Sequence, residues 1–270
     1  VQNSVGARQS LPAFYQGTRY SFGEDNILLP PGSYGLCWRS AAGAAADTGF
    51  LVPAGSMVIN GPYLNQQTEC VSGKQCTVAI NGAGLQAGDR VMVMEECGGA
   101  PITSMPNEGT SQDSTDGLSF SFGDELIKTS GGFYKLCWCS ASRRCEMREH
   151  FIVEVGDFRV VGPHTGQTVE VAAGVELRVL GITGEGLVDG SRMLVSSKPC
   201  DDEGGAQPVA GIPGVDGYTG RSDESTGLGT EFVWGAKVFA LGGSYTMCWC
   251  PPTDEENGCT TGNHFRSTVR

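Results

Sequence analysis

One short string recurs three times along this chain and limits what it can fold into. Tyr34-Gly35-Leu36-Cys37-Trp38 returns as Tyr134-Lys135-Leu136-Cys137-Trp138-Cys139, and again as Tyr245-Thr246-Met247-Cys248-Trp249-Cys250. The intervals are 100 and 111 residues, the length of a whole domain and far longer than a solenoid repeat. Flanking matches keep the spacing. Ser21-Phe22-Gly23 pairs with Ser121-Phe122-Gly123, Phe50-x-Val52-x-x-Gly55 with Phe151-x-Val153-x-x-Gly156, and Gly61-Pro62 with Gly162-Pro163. Gly84-Leu85-x-x-Gly88-x-Arg90 recurs as Gly186-Leu187-x-x-Gly190-x-Arg192. Three copies are therefore expected, at 1–57, 58–158 and 159–270. The first holds only the C-terminal half of a repeat, so the chain reads as a window on a longer array.

Each copy reads as short strands between Gly-rich turns, helped by 41 Gly in 270 residues. Leu118-Ser119-Phe120-Ser121-Phe122 alternates apolar and polar, and so does Phe151-Ile152-Val153-Glu154-Val155. Cys76–Ile80 and Val91–Met94 are further strand candidates, and no stretch keeps a helical period with caps. The expected fold class is all-β: tandem immunoglobulin-like antiparallel β-sandwiches, stapled by disulfides. In the recurring strand, Tyr34, Trp38, Tyr134, Trp138, Tyr245 and Trp249 alternate onto one face and are expected as core anchors. Cys137 and Cys139 fall on the other face, which is expected to meet solvent.

Eleven Cys argue for an oxidising compartment. Internal copies narrow the pairing. Cys139 and Cys145 become Arg39 and Ala45 in the first copy, and Cys70 and Cys76 become Val171 and Leu177 in the third. Residues lost together are best read as bonded partners, because a lone survivor would be a free thiol. The expected bonds are Cys70–Cys76, Cys97–Cys137, Cys139–Cys145, Cys200–Cys248 and Cys250–Cys259. Cys37 is left over. Its partner would fall just ahead of residue 1; the alternative is a buried free Cys.

Chemistry-bearing patterns are sparse. Lys+Arg 18 against Asp+Glu 30 gives a net charge of −12, unlike a nucleic-acid binder or a polybasic membrane reader. No apolar run is long enough to span a membrane as a helix, and residues 1–30 show no basic segment leading into an apolar one. His150 and His264 occupy matching places before a strand Phe, as strand-position side chains, and His164 follows a Gly-Pro turn. The x5 Cys spacings do not suit zinc. Cys137-Trp138-Cys139 is not the C-x-x-C of redox proteins. Gly84-Leu85-x-x-Gly88 lacks the Lys-Ser/Thr of a phosphate loop and reads as a β-turn. Asp201-Asp202-Glu203 and Asp254-Glu255-Glu256 read as solvated acidic loops rather than Ca²⁺ sites. No catalytic residue, cofactor or metal ligand is expected.

Gly131-Gly132-x-Tyr134-x-Leu136-Cys137-Trp138-Cys139, Phe151-x-Val153-x-Val155-Gly156, Val161-Gly162-Pro163 and Cys70-x-Ser72-Gly73-x-x-Cys76 together resemble a class of Cys-rich tandem repeats. These occur in extracellular and surface proteins of alveolate protists, dinoflagellates especially. The resemblance implies a secretory route, an extracellular or cell-surface location and no enzyme activity. The expected role is structural: a rigid β-sandwich array in a filament, appendage or coat, partnered by itself or by neighbouring repeats. The alternative is an adhesive or glycan-reading module using the loop insert 204–229, which is peculiar to the third copy.

Overall fold

The structure is a computed structural model that describes residues 10–23, 29–40, 49–252 and 258–269. Among these there is no α-helix; the ordered elements are strands and one-turn 3₁₀ helices. The chain divides into two compact units, one of residues 1–64 with 81–85, the other of 65–80 with 86–270. The first copy supplies β1 (Gly32–Trp38) and β2 (Val52–Ile59). The second follows with β3 (Gly61–Pro62), β4 (Gln66–Val71), β5 (Thr77–Ala79), β6 (Gly82–Ala83), β7 (Arg90–Met94), β8 (Ser119–Ser121) and β9 (Gly132–Cys139). Then come β10 (Val153–Pro163), β11 (Glu176–Val179), β12 (Gly184–Glu185), β13 (Arg192–Ser196), β14 (Gly214–Val215), β15 (Tyr218–Thr219), β16 (Phe232–Lys237), β17 (Thr246–Cys250) and β18 (Ser267–Thr268). The largest sheet runs β12-β10-β9-β7, with β4 also on β10. The other sheets have two or three strands, and every pairing except β4–β10 is antiparallel.

β10 joins the second copy to the third without a linker. It pairs antiparallel with β9 from Val153↔Trp138 to Val160↔Gly132, and parallel with β4 from Gly156↔Gln66 to Val161↔Val71. Its last two residues, Gly162 and Pro163, pair with β12 of the third copy. The 158/159 boundary read from the repeat therefore lies inside a strand. Phe158 and Val160 are fully buried, and the Phe158 ring meets Phe122 edge-on at 5.9 Å. Arg159 donates to Glu69 at 3.0 Å on the second copy's side and to Glu185 at 2.8 Å on the third's. Val71 packs against the third copy's core, and Lys128 pairs with Asp201 at 3.0 Å.

The register requires a glycine at one point. Leu136 faces Gly156 and Cys137 faces Glu154, so Val155 bulges out of the ladder. Gly156 has φ +155°, and a Cβ there would lie 1.9 Å from the Gln66 carbonyl oxygen. The first copy repeats the irregularity, with Leu36 facing Gly55 and Cys37 facing Pro53. A second shared device is the Tyr hydroxyl, which donates to the carbonyl four residues upstream in every copy. The contacts are Tyr34 to Pro30 at 2.6 Å, Tyr134 to Ser130 at 3.0 Å and Tyr245 to Leu241 at 2.7 Å.

Trp138 and Trp249 are buried, 6% and 1% exposed, while Tyr134 and Tyr245 are half-buried with their hydroxyls tied back. Trp249 belongs to a cluster with Leu177, Val179, Phe232 and Trp234. Trp38 departs from the expected core position: it is 41% exposed, and Tyr34 is half-buried. The reason is that β1 and β2 form a two-stranded sheet, and no described strand pairs with either outer edge. A single hairpin does not bury the apolar face it presents.

The cysteine face also departs from the expected exposure. Cys137 and Cys139 are 0% and 1% exposed, not solvent-facing. Both faces of the C-terminal half of β9, Leu136 to Cys139, are covered. Cys137 and Cys139 pack with Met92, Met94, Cys145 and Phe151 in a small core on the far side of the sheet. Cys248 and Cys250 sit with Leu194, Cys200, Cys259 and Phe265 in the same way. The disulfides and the loops they close supply the cover. We expect Trp138→Ala and Trp249→Ala each to cost about 3–5 kcal/mol in denaturant unfolding. Trp38→Ala should cost less than about 1 kcal/mol; equal losses at Trp38 and Trp249 would show that the first copy closes a core of its own.

Candidate functional site

The five disulfides of the structure are Cys70–Cys76, Cys97–Cys137, Cys139–Cys145, Cys200–Cys248 and Cys250–Cys259. Each closes a loop within one copy. Cys37 is unbonded and exposed, which removes the buried-thiol alternative. The histidines are not strand residues. His150 and His264 each end a one-turn 3₁₀ helix, Arg148–His150 and Gly262–His264. His264 Nδ1 accepts from the Thr260 and Thr261 amides at 3.1 and 3.3 Å, so it caps that turn. His164 Nδ1 lies 3.2 Å from the Thr183 hydroxyl. Gly84–Gly88 is a turn, with φ +64° and +86° at its two glycines. Asp202 pairs with Lys198 at 2.9 Å, and Lys128 and Lys198 hold the Asp201 and Asp202 carboxyls below the usual carboxylate range. Asp254-Glu255-Glu256 lies outside the described residues. Among the described residues no group of three His, Cys, Asp or Glu converges.

A polar cleft of about 400 Å³ lies at the third copy's insert. It is built on a β-hairpin. β14 and β15 are joined by Asp216-Gly217, with φ +53° and +75°, the left-handed pair of a type I′ turn. That turn sets Asp216 and the Tyr218 ring at the rim. Arg192 enters from β13, and the Gly258–Thr260 wall is held by the Cys250–Cys259 bond.

Arg221 is the unusual residue, 5% exposed. Its terminal nitrogens donate to the carbonyls of Cys259 at 3.1 Å and Val215 at 3.2 Å, and to Asp216 at 3.1 Å. Its guanidinium lies 5.5 Å from the Tyr218 ring centre. Nε has no partner among the described residues. Burial first, and Arg192 second, pull this guanidinium below its ordinary value, with Asp216 acting the other way; it stays protonated at neutral pH. Arg192 donates to Glu224 at 3.1 Å and lies 3.8 Å from both Asp216 and Asp223. The cleft is thus lined by two guanidinium groups held by protein acceptors, by the exposed carboxylates of Asp216 and Glu224 and by Tyr218.

Sequence reading singled out the insert but none of these side chains. The signal was present in Val215-Asp216-Gly217-Tyr218, an Asp-Gly pair between apolar residues. No family model matches the chain, and no curated protein does. Arg221→Gln is expected to destabilise the protein by about 1–3 kcal/mol in denaturant melts, because buried carbonyls of Cys259 and Val215 lose their donors. A loss within error of zero would show that water replaces the guanidinium.

Proposed function

We propose that this chain is a structural, assembly-forming protein: a stiff array of immunoglobulin-like sandwich modules in an extracellular filament, appendage or surface coat. The observation that carries the reading is β10, one strand shared by two successive modules. A Gly/Ser linker would let neighbours tumble; a strand paired in one copy by β9 and β4, whose last two residues pair with β12 of the next, leaves no such linker between them. The Ig-like assignment rests on β4-β10-β9-β7 forming one sheet and β5–β8 another, with Phe122 and Phe158 meeting between them. The repeated Tyr hydroxyl contact resembles the tyrosine corner of that fold. It departs by one residue, since Tyr134 stands three positions before Cys137. Five disulfides suit an oxidising, extracellular setting, and no described helix is long and apolar enough to cross a membrane. The reading needs no catalytic residue.

Spin labels on β7 and β13 test the joint. A single narrow distance distribution is expected, broadening when a flexible Gly/Ser tetrad is inserted after Val161. A broad distribution in the unmodified chain would remove the basis for a stiff array.

A second reading, a glycan-binding surface module, is favoured by the Arg221 cleft. Screening immobilised oligosaccharides against the chain tests it. Binding that Tyr218→Ala weakens about tenfold is expected on this reading, and no binding to any neutral glycan would sink it.

A further inference from the structure

In the Arg221 cleft two guanidiniums meet at one carboxyl. Arg221 Nη2 donates to Asp216 Oδ2 at 3.1 Å, and Arg192 Nη1 lies 3.8 Å from the same oxygen. The Arg221 and Arg192 side chains are 6% and 15% exposed, whereas that of Asp216 is 67% exposed. Neither arginine depends on Asp216 alone for its place. Arg221 is also held by the carbonyls of Cys259 and Val215, and Arg192 donates to the Ser222 carbonyl at 3.3 Å. Two enclosed cations converging on one exposed position form an anion site. Here the chain supplies the anion itself, from the tip of a hairpin with two residues in each strand.

The second copy shows that the module's frame does without this arrangement. Met92 bridges Thr110 there as Leu194 bridges Arg221 here, so Thr110 stands in the arginine's place. Arg90 keeps the position of Arg192, facing Cys139 as Arg192 faces Cys250, and pairs with Asp113. Among the described residues, only a 3₁₀ turn, Pro106–Gly109, lies between β7 and β8, where the third copy inserts the β14–β15 hairpin. Arg221 and Asp216 are therefore additions of the third copy, brought together at the cleft and not required by the sheet.

Resting on the glycan-binding reading of this cleft, we infer that Asp216 is its charge selector. The Asp216 carboxyl fills the anion position between Arg192 and Arg221. The carboxylate of an acidic saccharide therefore meets occupied donors, with the exposed carboxylates of Asp223 and Glu224 beside them. An uncharged saccharide escapes that repulsion and can donate its hydroxyls to the same carboxylates. Selectivity works by exclusion: the cleft is shaped to hold an anion and already holds one.

Asp216→Asn tests this. Asn-Gly is a favoured pair for the turn, and Asn keeps an oxygen acceptor for Arg221 while removing the charge. Asp216→Gly, at ease with the φ of +53° found there, repeats the test without any acceptor. Arginine Nε–H resonances are followed by NMR while inorganic sulfate, glucuronate and glucose are each titrated in. Sulfate and glucuronate are expected to shift Arg192 and Arg221 with at least about tenfold tighter half-saturation in both variants than in the wild-type chain. Glucose should change less than about twofold. Asp223→Asn removes the same charge 3.8 Å from Arg192 but leaves Asp216 in place, and should gain less than about twofold for either anion. Unchanged anion affinity in both Asp216 variants, an equal gain in Asp223→Asn, or an equal gain for glucose would each overturn the selector. The sulfate result needs no sugar, so a failed glycan screen and a failed selector are distinguishable.

Discussion

The interaction on which the rest depends is the double pairing of β10. Its antiparallel edge holds β9, which carries Trp138 and two of the copy's six bonded cysteines, Cys137 and Cys139. Its parallel edge holds β4, and its end holds β12. Removing it would open the second module and leave the third without its first strand pairing. That is why the strand tolerates so little chemistry along its length. Gly156 admits no Cβ beside Gln66, Phe158 and Val160 are fully enclosed, and a Cβ at Gly162 would sit 2.8 Å from the Ser72 side chain. Arg159 is half-buried, and it serves both neighbours by pairing with Glu69 and Glu185.

The cysteines solve a problem that a small sheet faces on its second side. A strand between two apolar layers must be covered twice, and a module of ~100 residues lacks the secondary structure to do so. Here loops do it, fastened by Cys97–Cys137 and Cys139–Cys145 over Met92, Met94 and Phe151. The third copy uses Cys200–Cys248 and Cys250–Cys259 over Leu194 and Phe265. The latter bond also fixes one wall of the Arg221 cleft, so the cover and the candidate ligand site share a support.

What was legible in the sequence follows from what repeats. Comparing copies exposed which cysteines vanish together, a signal independent of three-dimensional detail. The Tyr and Trp positions alternate with period two, and that placed Trp138 and Trp249. Trp38 shares the pattern but not the burial, because burial belongs to the partner surface and not to the strand. The face bearing Cys137 was misread for a related reason. Lys135, Gly35 and Thr246 at its start are polar or small, while the cover begins two residues later, after the strand has entered the module. Arg221 stayed hidden, since nothing local distinguishes a buried arginine from an exposed one; only the Asp216-Gly217 hairpin that buries it was written locally.

Because every disulfide closes within its own copy, the bonds act as length limiters and not as ties between modules. Cys97 and Cys137 are 40 residues apart, and Cys200 and Cys248 are 48 apart. If a module were pulled open end to end, the chain between each pair would stay out of the extended path, withholding on the order of 150 Å per module. Stretched end to end, the chain would therefore yield in shorter steps while oxidised than once reduced, with the redox state of the surroundings setting how far each stretch can run out.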